Sequence, residues 1–589
     1  MSGQRRWIAW GLWWLAGAAA AQVPATTEEA AFLRATILSH RLDSLYHPGF
    51  SGYDDELATL YGVSLPPPPP PTPEPTGEAT AGTAPANLPT AVAEPVAMPE
   101  PVPEPSVPPG PPVLHWLDGA GRPLPFCQQL LDGLAQAEAR GLRGRDYDLA
   151  WLRDALARAE AAPPAPGLER ARLDFVLTLA LLRYVSDLHI GRVDPTRVGI
   201  KIDVEPKKYD LAHEVGSALD EGDVAGLIRR AEPTSPLYHR LIGALARYRE
   251  LAATVQEPEF VFPDKIKPGD PLAQASELFQ YLQAIGDAEG LVAPTENVLS
   301  GDLETALKRF QLRHGLKPDA IIGPGTASAL RTPLDYRVRQ IELTLERLRW
   351  LPEFEDGPLI AVNIPEFRLW VFDKGEEPAF SMAVVVGVGL NKQTPVFLKH
   401  MRSVVLSPYW NVPYSITRKE YLPKLAYDAS YLERNDYELV GPGGDEGATD
   451  DNLRALRAGT LRMRQKPGPH NALGNIKFDF PNDDAVYLHS TPQKNLFGRE
   501  RRALSHGCVR VEDPIRLAQF VLADQPTWTA ERIEEGMNRR TPLTVPLSRH
   551  IPVLLFYATA TVGSDGRVAF FEDLYGHDRR LDKAMSQGH

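Results

Sequence analysis

Apolar residues recur at two different periods along the chain, and the changes of period divide it into units. Behind Thr26 and Thr27, either of which can cap a helix, Phe32, Leu33, Ile37, Leu38 and Leu42 fall near helical spacing, so one amphipathic helix is expected within residues 27–62. The pattern then disappears. Residues 63–112, with "PPPPPPTPEPTG" near their start, lack the aromatic and branched side chains needed to bury a core and are expected to be a disordered, partly polyproline II tether. Helical periodicity returns over residues 113–260, and the stretch from Phe175 to Leu182 in "LDFVLTLALLRYVSDLH" is apolar enough to predict the buried central helix of a helical domain. Residues 270–332 form a smaller module. There Leu303, Ala306, Phe310 and Leu312 are expected along one helix face, Gly315 stops that helix, and "GPGTASAL" begins another.

After a helix at "DYRVRQIELTLERLRWL" the period shortens to two. "PLIAVNIPEFRLWVF", broken at Pro365, "AFSMAVVVGV", "HMRSVVLSPYWNVP", "NIKFDF" and "AVYLHS" all read as strands, and "EDPIRLAQFVL" as a helix. A mainly β domain is therefore expected over residues 357–525, interrupted at about 415–475 by a charged, loop-rich insertion that serves as a lid. Residues 526–589 are expected to be an extension packing on the helical or the β domain. The fold class is multidomain α+β.

Length and composition support that division. A chain of 589 residues exceeds what one core accommodates, and 43% hydrophobic with 24% charged residues is a globular balance. The net charge of -13 supplies no positive field for a phosphate backbone, which argues against nucleic acid as a partner. Arg5 and Arg6 precede an apolar run from Trp7 that ends in small residues at Ala19 and Ala21, so residues 1–21 read as an export signal, cleaved or retained as a membrane anchor. In an exported compartment Cys127 and Cys508 invite a disulfide reading, but the surroundings of Cys508 favour a free thiol.

Those surroundings are "RRALSHGCVRVEDP". A thiol with an ordinary pKa of about 8.5 needs a base or a positive setting to become a nucleophile. His506 stands two residues before Cys508, and His489, in "VYLHSTP", nineteen before it at a strand end that can face a neighbouring strand. Gly507 permits close backbone approach of the kind an oxyanion hole uses, and Arg510 could bind a carboxylate or pin the loop. Proximity of cysteine and histidine alone is equally compatible with packing. Cys127 follows "LPF" with no histidine or acidic partner nearby and reads as a packed thiol.

The wider pattern resembles a known family, the L,D-transpeptidases, whose signature is a histidine, about fifteen residues, then Ser/Thr-His-Gly-Cys, an apolar residue and Arg or Asn. Here it runs His489, fifteen intervening residues, Ser505, His506, Gly507, Cys508, Val509, Arg510. "RWLP", "TPVF", "PYWNVPYSI", "ALGNIKFDFPN" and the closing "IPVLLFYATATVGSDGRVAFFEDLYGHD" extend the resemblance to the large subtype with a helical scaffold domain. The module resembles the three-helix peptidoglycan-binding module at Ala306, Phe310, Gln311, Gly315, Leu316, Asp319, Gly323, Pro324, Thr326 and Leu330, departing from it at Ala320, where glycine is usual. The proline-rich stretch inside the scaffold is a second departure.

The resemblance implies Cys508 as nucleophile and His489 as its base, supporting a thiolate component at low pH, with the Ser490 carbonyl orienting the imidazole. It implies that His506 and the N–H groups of Gly507 and Cys508 line the oxyanion side, and that Ser490, Ser505, Arg510, Trp410 and Asn411 shape the substrate pocket. It further implies a thioester to the third residue of a peptidoglycan stem peptide, resolved by an amine of a second stem into a 3→3 cross-link, with no metal or cofactor. Water or a protein lysine as acceptor, and a non-catalytic wall-binding protein, are the alternatives. Stem peptides and glycan are the implied partners, alongside other cell-wall synthesis enzymes, and the periplasm is the implied location.

Overall fold

A computed structural model describes residues 22–66 and 111–586, apart from 201, 205–206, 263–264, 355, 376, 390–391, 429, 442–443 and 448. The export-type segment and most of the proline-rich stretch lie outside the described residues. Among the described residues no helix is long and apolar enough to cross a membrane.

Thr26 and Glu29 form a reciprocal capping box that starts a helix at Thr27–Ser39, and His40 ends it in the left-handed region at φ 53°. A second helix, Asp54–Tyr61, follows, so the single expected helix is two. The break is built by the left-handed turn and the bridge between Arg41 and Gly49, which local periodicity does not reveal. Val23–Pro24 pairs antiparallel with Val113–Leu114, joining the two sides of the proline-rich stretch. Leu33, Ile37 and Tyr61 consequently share one core with Trp116 and the central helix Leu168–His189. Asp174 on that helix fixes the junction, accepting from the N–H groups of His115 and Trp116 and from the Tyr61 hydroxyl.

The module's helices are Ala275–Ala284, Asp302–Arg313 and Pro324–Leu330. Leu303, Ala306, Leu307 and Phe310 face inward, whereas Leu312, expected on that face, is 66% exposed because it falls a half-turn away. Ala320 has φ 58°, a conformation that favours glycine, and its N–H is held by Gln311 at 2.8 Å. The departure from the family pattern at this position thus sits on a genuine left-handed turn.

The β domain wraps one twisted sheet into a closed ring. Ile476–Asp479 pairs with Leu488–His489 on one side and with Val396–Leu406 on the other, which closes the ring, and Ile202–Asp203 adds a parallel strand to the far end of Val396–Leu406. The expectation that everything after residue 525 is an extension is corrected. Leu543–Phe556 lies inside the ring, parallel to Leu359–Asn363 and antiparallel to Val396–Leu406. Beyond it, the hairpin of Ala560–Val562 and Val568–Phe570 packs on the small module as well as on the helical domain, with the Phe570 ring 5.9 Å from that of His314 in the module and 5.0 Å from that of Tyr248 in the helical domain. The last helix, His577–Ser586, docks on Leu334–Arg349 through the buried Arg347–Asp578 pair.

The insertion has its own sheet, ordered Gly444–Glu446, Tyr437–Gly441, Arg462–Gln465, Trp410–Asn411, over a core that includes Leu425, Leu439, Leu456 and Met463. It begins at Trp410 and not at Ser415, because Trp410 pairs with Gln465 and Asn411 with Arg464. Tyr421 belongs to that core with Tyr431 packed on it, while Tyr427 is 95% exposed.

Candidate active site

The register of two short parallel strands assembles the site. Leu488 pairs with Val509 and His489 with Arg510. Leu488 and Val509 are fully buried in the sheet's core, so strand alternation places Tyr487, His489, Cys508 and Arg510 together on the opposite face. Lys477, which pairs with His489 from the other side, joins them.

Cys508 is half-buried, with its thiol 3.7 Å from the Ala485 carbonyl. The Tyr487 N–H and phenol both donate toward the sulfur, and the Trp410 indole at the root of the insertion donates to that phenol. Tyr487, Lys477 and the Trp410 link were not singled out by sequence reasoning. Tyr487 was readable, since it stands two residues before His489 on one strand and therefore on the same face.

Burial pushes the Cys508 thiol up, opposed by the Tyr487 donors and by the positive charges of Lys477 and Arg510. Burial, assisted by Arg510, holds the His489 imidazole neutral, its pKa brought down to about 3, while the backbones of Ser490 and Leu473 act in the opposite direction. His489 Nδ1 is buried and has no hydrogen-bond partner among the described residues. The resting arrangement is a neutral thiol beside a neutral imidazole, which departs from the low-pH thiolate expected of a histidine partner. Alkylation of Cys508 by iodoacetamide should accordingly rise about tenfold per pH unit between roughly pH 6 and 8, tracking thiolate formation. A rate that levels off at low pH would reveal a resting thiolate–imidazolium pair instead.

The loop before Cys508 is tightly bonded. Ser505 Oγ donates to the Cys508 carbonyl at 2.6 Å and accepts from the Gly507 N–H at 3.1 Å. The expectation that the Gly507 N–H lines an oxyanion site is therefore corrected, because that donor is already engaged. The backbone of Gly507, at φ 124°, requires glycine.

The remaining expected residues divide. His506 turns toward the insertion, its Nε2 2.6 Å from Glu420 Oε1, and Lys392 Nζ lies 3.2 Å from the same oxygen. Arg510 donates to Gln493 Oε1 at 2.9 Å. Ser490 is buried beside His489, its N–H bonded to the Ile476 carbonyl. Trp410 reaches the cluster through Tyr487. Asn411 is exposed within the insertion's sheet and has no hydrogen bond to the cysteine loop among the described residues. Cys127 lies in the scaffold, 3% exposed and 3.4 Å from the Trp116 carbonyl, its pKa pushed up to about 12 by burial, and both cysteines are free.

Comparison with known proteins finds three matching domains. Residues 113–245 match a "Scaffold domain", 273–330 a "Putative peptidoglycan binding domain", and 357–542 an "L,D-transpeptidase catalytic domain". A Haemophilus influenzae protein described as "Putative L,D-transpeptidase" is 34% identical over 248 residues, which cover 42% of this chain and 49% of that protein, so the match spans about half its length. A crystal structure of an L,D-transpeptidase from Stackebrandtia nassauensis matches 51% of this chain and 97% of its own at 14% identity, with a TM-score of 0.21, too low to bear on the fold. Residues 357–542, which hold the His489 and Cys508 signature, thus match an L,D-transpeptidase catalytic domain, beside the scaffold and peptidoglycan-binding domain matches earlier in the chain.

Proposed function

We propose that this chain cross-links peptidoglycan stem peptides 3→3 through a thioester on Cys508. The observation that carries this reading is the placement of Cys508 and His489 on one face of adjoining strands, with His489 neutral and its Nδ1 unpartnered. Nδ1 takes the thiol proton as Sγ attacks the carbonyl carbon of the third stem residue. The bond to the terminal D-alanine breaks, and the same proton leaves on its amine. The side-chain amine of a second stem then attacks the thioester, passing a proton by way of His489 to the departing sulfur. The Tyr487 phenol, Lys477 and Arg510 favour the thiolate as it forms. The matched peptidoglycan-binding domain supports a wall substrate, and the export-type sequence of residues 1–21 supports its action in the periplasm.

The test is to incubate the protein with disaccharide-tetrapeptide and identify products by mass and fragmentation. A 3→3 dimer is expected, whereas tripeptide alone would establish water as the acceptor and overturn cross-linking. We assign the insertion as the lid that excludes water, supported by the Glu420–His506 and Trp410–Tyr487 contacts. Val412 N–H bonds to the Met463 carbonyl, so a short Gly-Ser linker can replace residues 414–462 without straining the ends. That variant should retain Cys508 alkylation but yield several-fold more tripeptide relative to dimer. An unchanged product ratio would show that the insertion is not a functional lid.

A further inference from the structure

We propose that Thr394, itself held by Tyr575 of the C-terminal segment, is a positioning residue that aims the Cys508 N–H at the developing oxyanion. The inference rests on the acyl-transfer reading above. The Thr394 hydroxyl donates to the Gly507 carbonyl at 2.8 Å and accepts from the Gly387 N–H at 2.9 Å, so its rotor is fixed from both sides. Thr394 is 1% exposed, and it therefore draws the Gly507 carbonyl toward the interior. In a trans peptide the carbonyl and the following N–H point in opposite directions. The chain has no cis peptide bond among the described residues, so the Cys508 N–H must point outward, to the open side of the loop.

That N–H has no hydrogen-bond acceptor among the described residues, while its neighbour on Gly507 is occupied by Ser505. The Cys508 N–H is thus the loop donor left for an oxyanion, and Thr394 sets its direction. Tyr575 completes the support. Its hydroxyl accepts from the Thr394 N–H at 3.2 Å and donates to the Gly387 carbonyl at 2.8 Å, and its own N–H is anchored on the Tyr557 hydroxyl at 2.9 Å. Close approach is obligatory here, because a Cβ on Gly387 would fall 2.0 Å from the Lys392 carbonyl oxygen. This network gives the residues beyond the last ring strand a task at the nucleophile.

The test compares two reactions of the full chain, both at Cys508. Acylation by a carbapenem builds an oxyanion, and alkylation by iodoacetamide does not. Thr394→Val should slow acylation by about 100-fold, the loss typical of one oxyanion donor, while alkylation stays within about twofold. Thr394→Ser, which keeps the hydroxyl, should acylate near the wild-type rate. Wild-type acylation by Thr394→Val, or an equal fall in both reactions, would overturn the proposal. Should Thr394→Val fail to fold, Tyr575→Phe replaces it, and an acylation loss no larger than its alkylation loss is again contradictory. Wild-type protein that alkylates but never acylates would defeat the acyl-transfer reading itself, a separate outcome from a Thr394 variant that behaves like wild type.

Discussion

Cys508→Ala should form no covalent adduct with a stem-peptide donor or a carbapenem, whereas Cys127→Ala should acylate at the wild-type rate. The two thiols differ in their settings. Cys508 is half-exposed on the face that carries His489, Tyr487, Lys477 and Arg510. Cys127 is sealed in the helical core, bonded to the Trp116 carbonyl, with burial disfavouring its thiolate. Loss of the small half-exposed thiol leaves the inward-facing Val509 and Leu488 in place, so Cys508→Ala should fold. Intact mass spectrometry checks both variants. An adduct that persists in Cys508→Ala, or equal loss in both, would remove Cys508 from the proposed role.

His489→Ala should lower the acylation rate by about 10² to 10⁴, the range expected for removal of a general base. The rest of the cluster cannot replace it. Lys477 is engaged with Asp479 at 2.7 Å, and the guanidinium of Arg510 carries only hydrogen-bond donors. His506 makes its contact with Glu420 on the insertion, and His506→Ala should therefore release that contact at a smaller cost to acylation. Single-turnover acylation of the two variants separates the roles. A larger loss in His506→Ala than in His489→Ala would reverse them.

The site's central pairing was legible because alternation along two short strands suffices to bring His489 and Cys508 to one face. The state of the Gly507 N–H was not, since it depends on the Ser505 hydroxyl turning back within a loop whose φ angles no periodicity reports. Glu420 was equally hidden. Its approach to His506 spans 86 residues and depends on how a separately packed subdomain folds back over the sheet. In the fold, the change from helical to strand period marked the domains, and the apolar run in Leu168–His189 marked the central helix. Leu543–Phe556 escaped because its place in the ring comes from pairing with strands far away in sequence, parallel on one side, and not from local composition. The insertion's root at Trp410 was missed for the same reason, its pairing with Gln465 being non-local.

The most direct measurement is to quench the protein during turnover of disaccharide-tetrapeptide and map the acylated peptide by mass spectrometry. The expected result is a tripeptide-derived acyl group on Cys508, labile to hydroxylamine as a thioester is, in the fragment that also contains Ser505 and Arg510. Cross-linked product that accumulates with Cys508 unmodified at every time point, or an acyl group on another residue, would contradict a cysteine thioester.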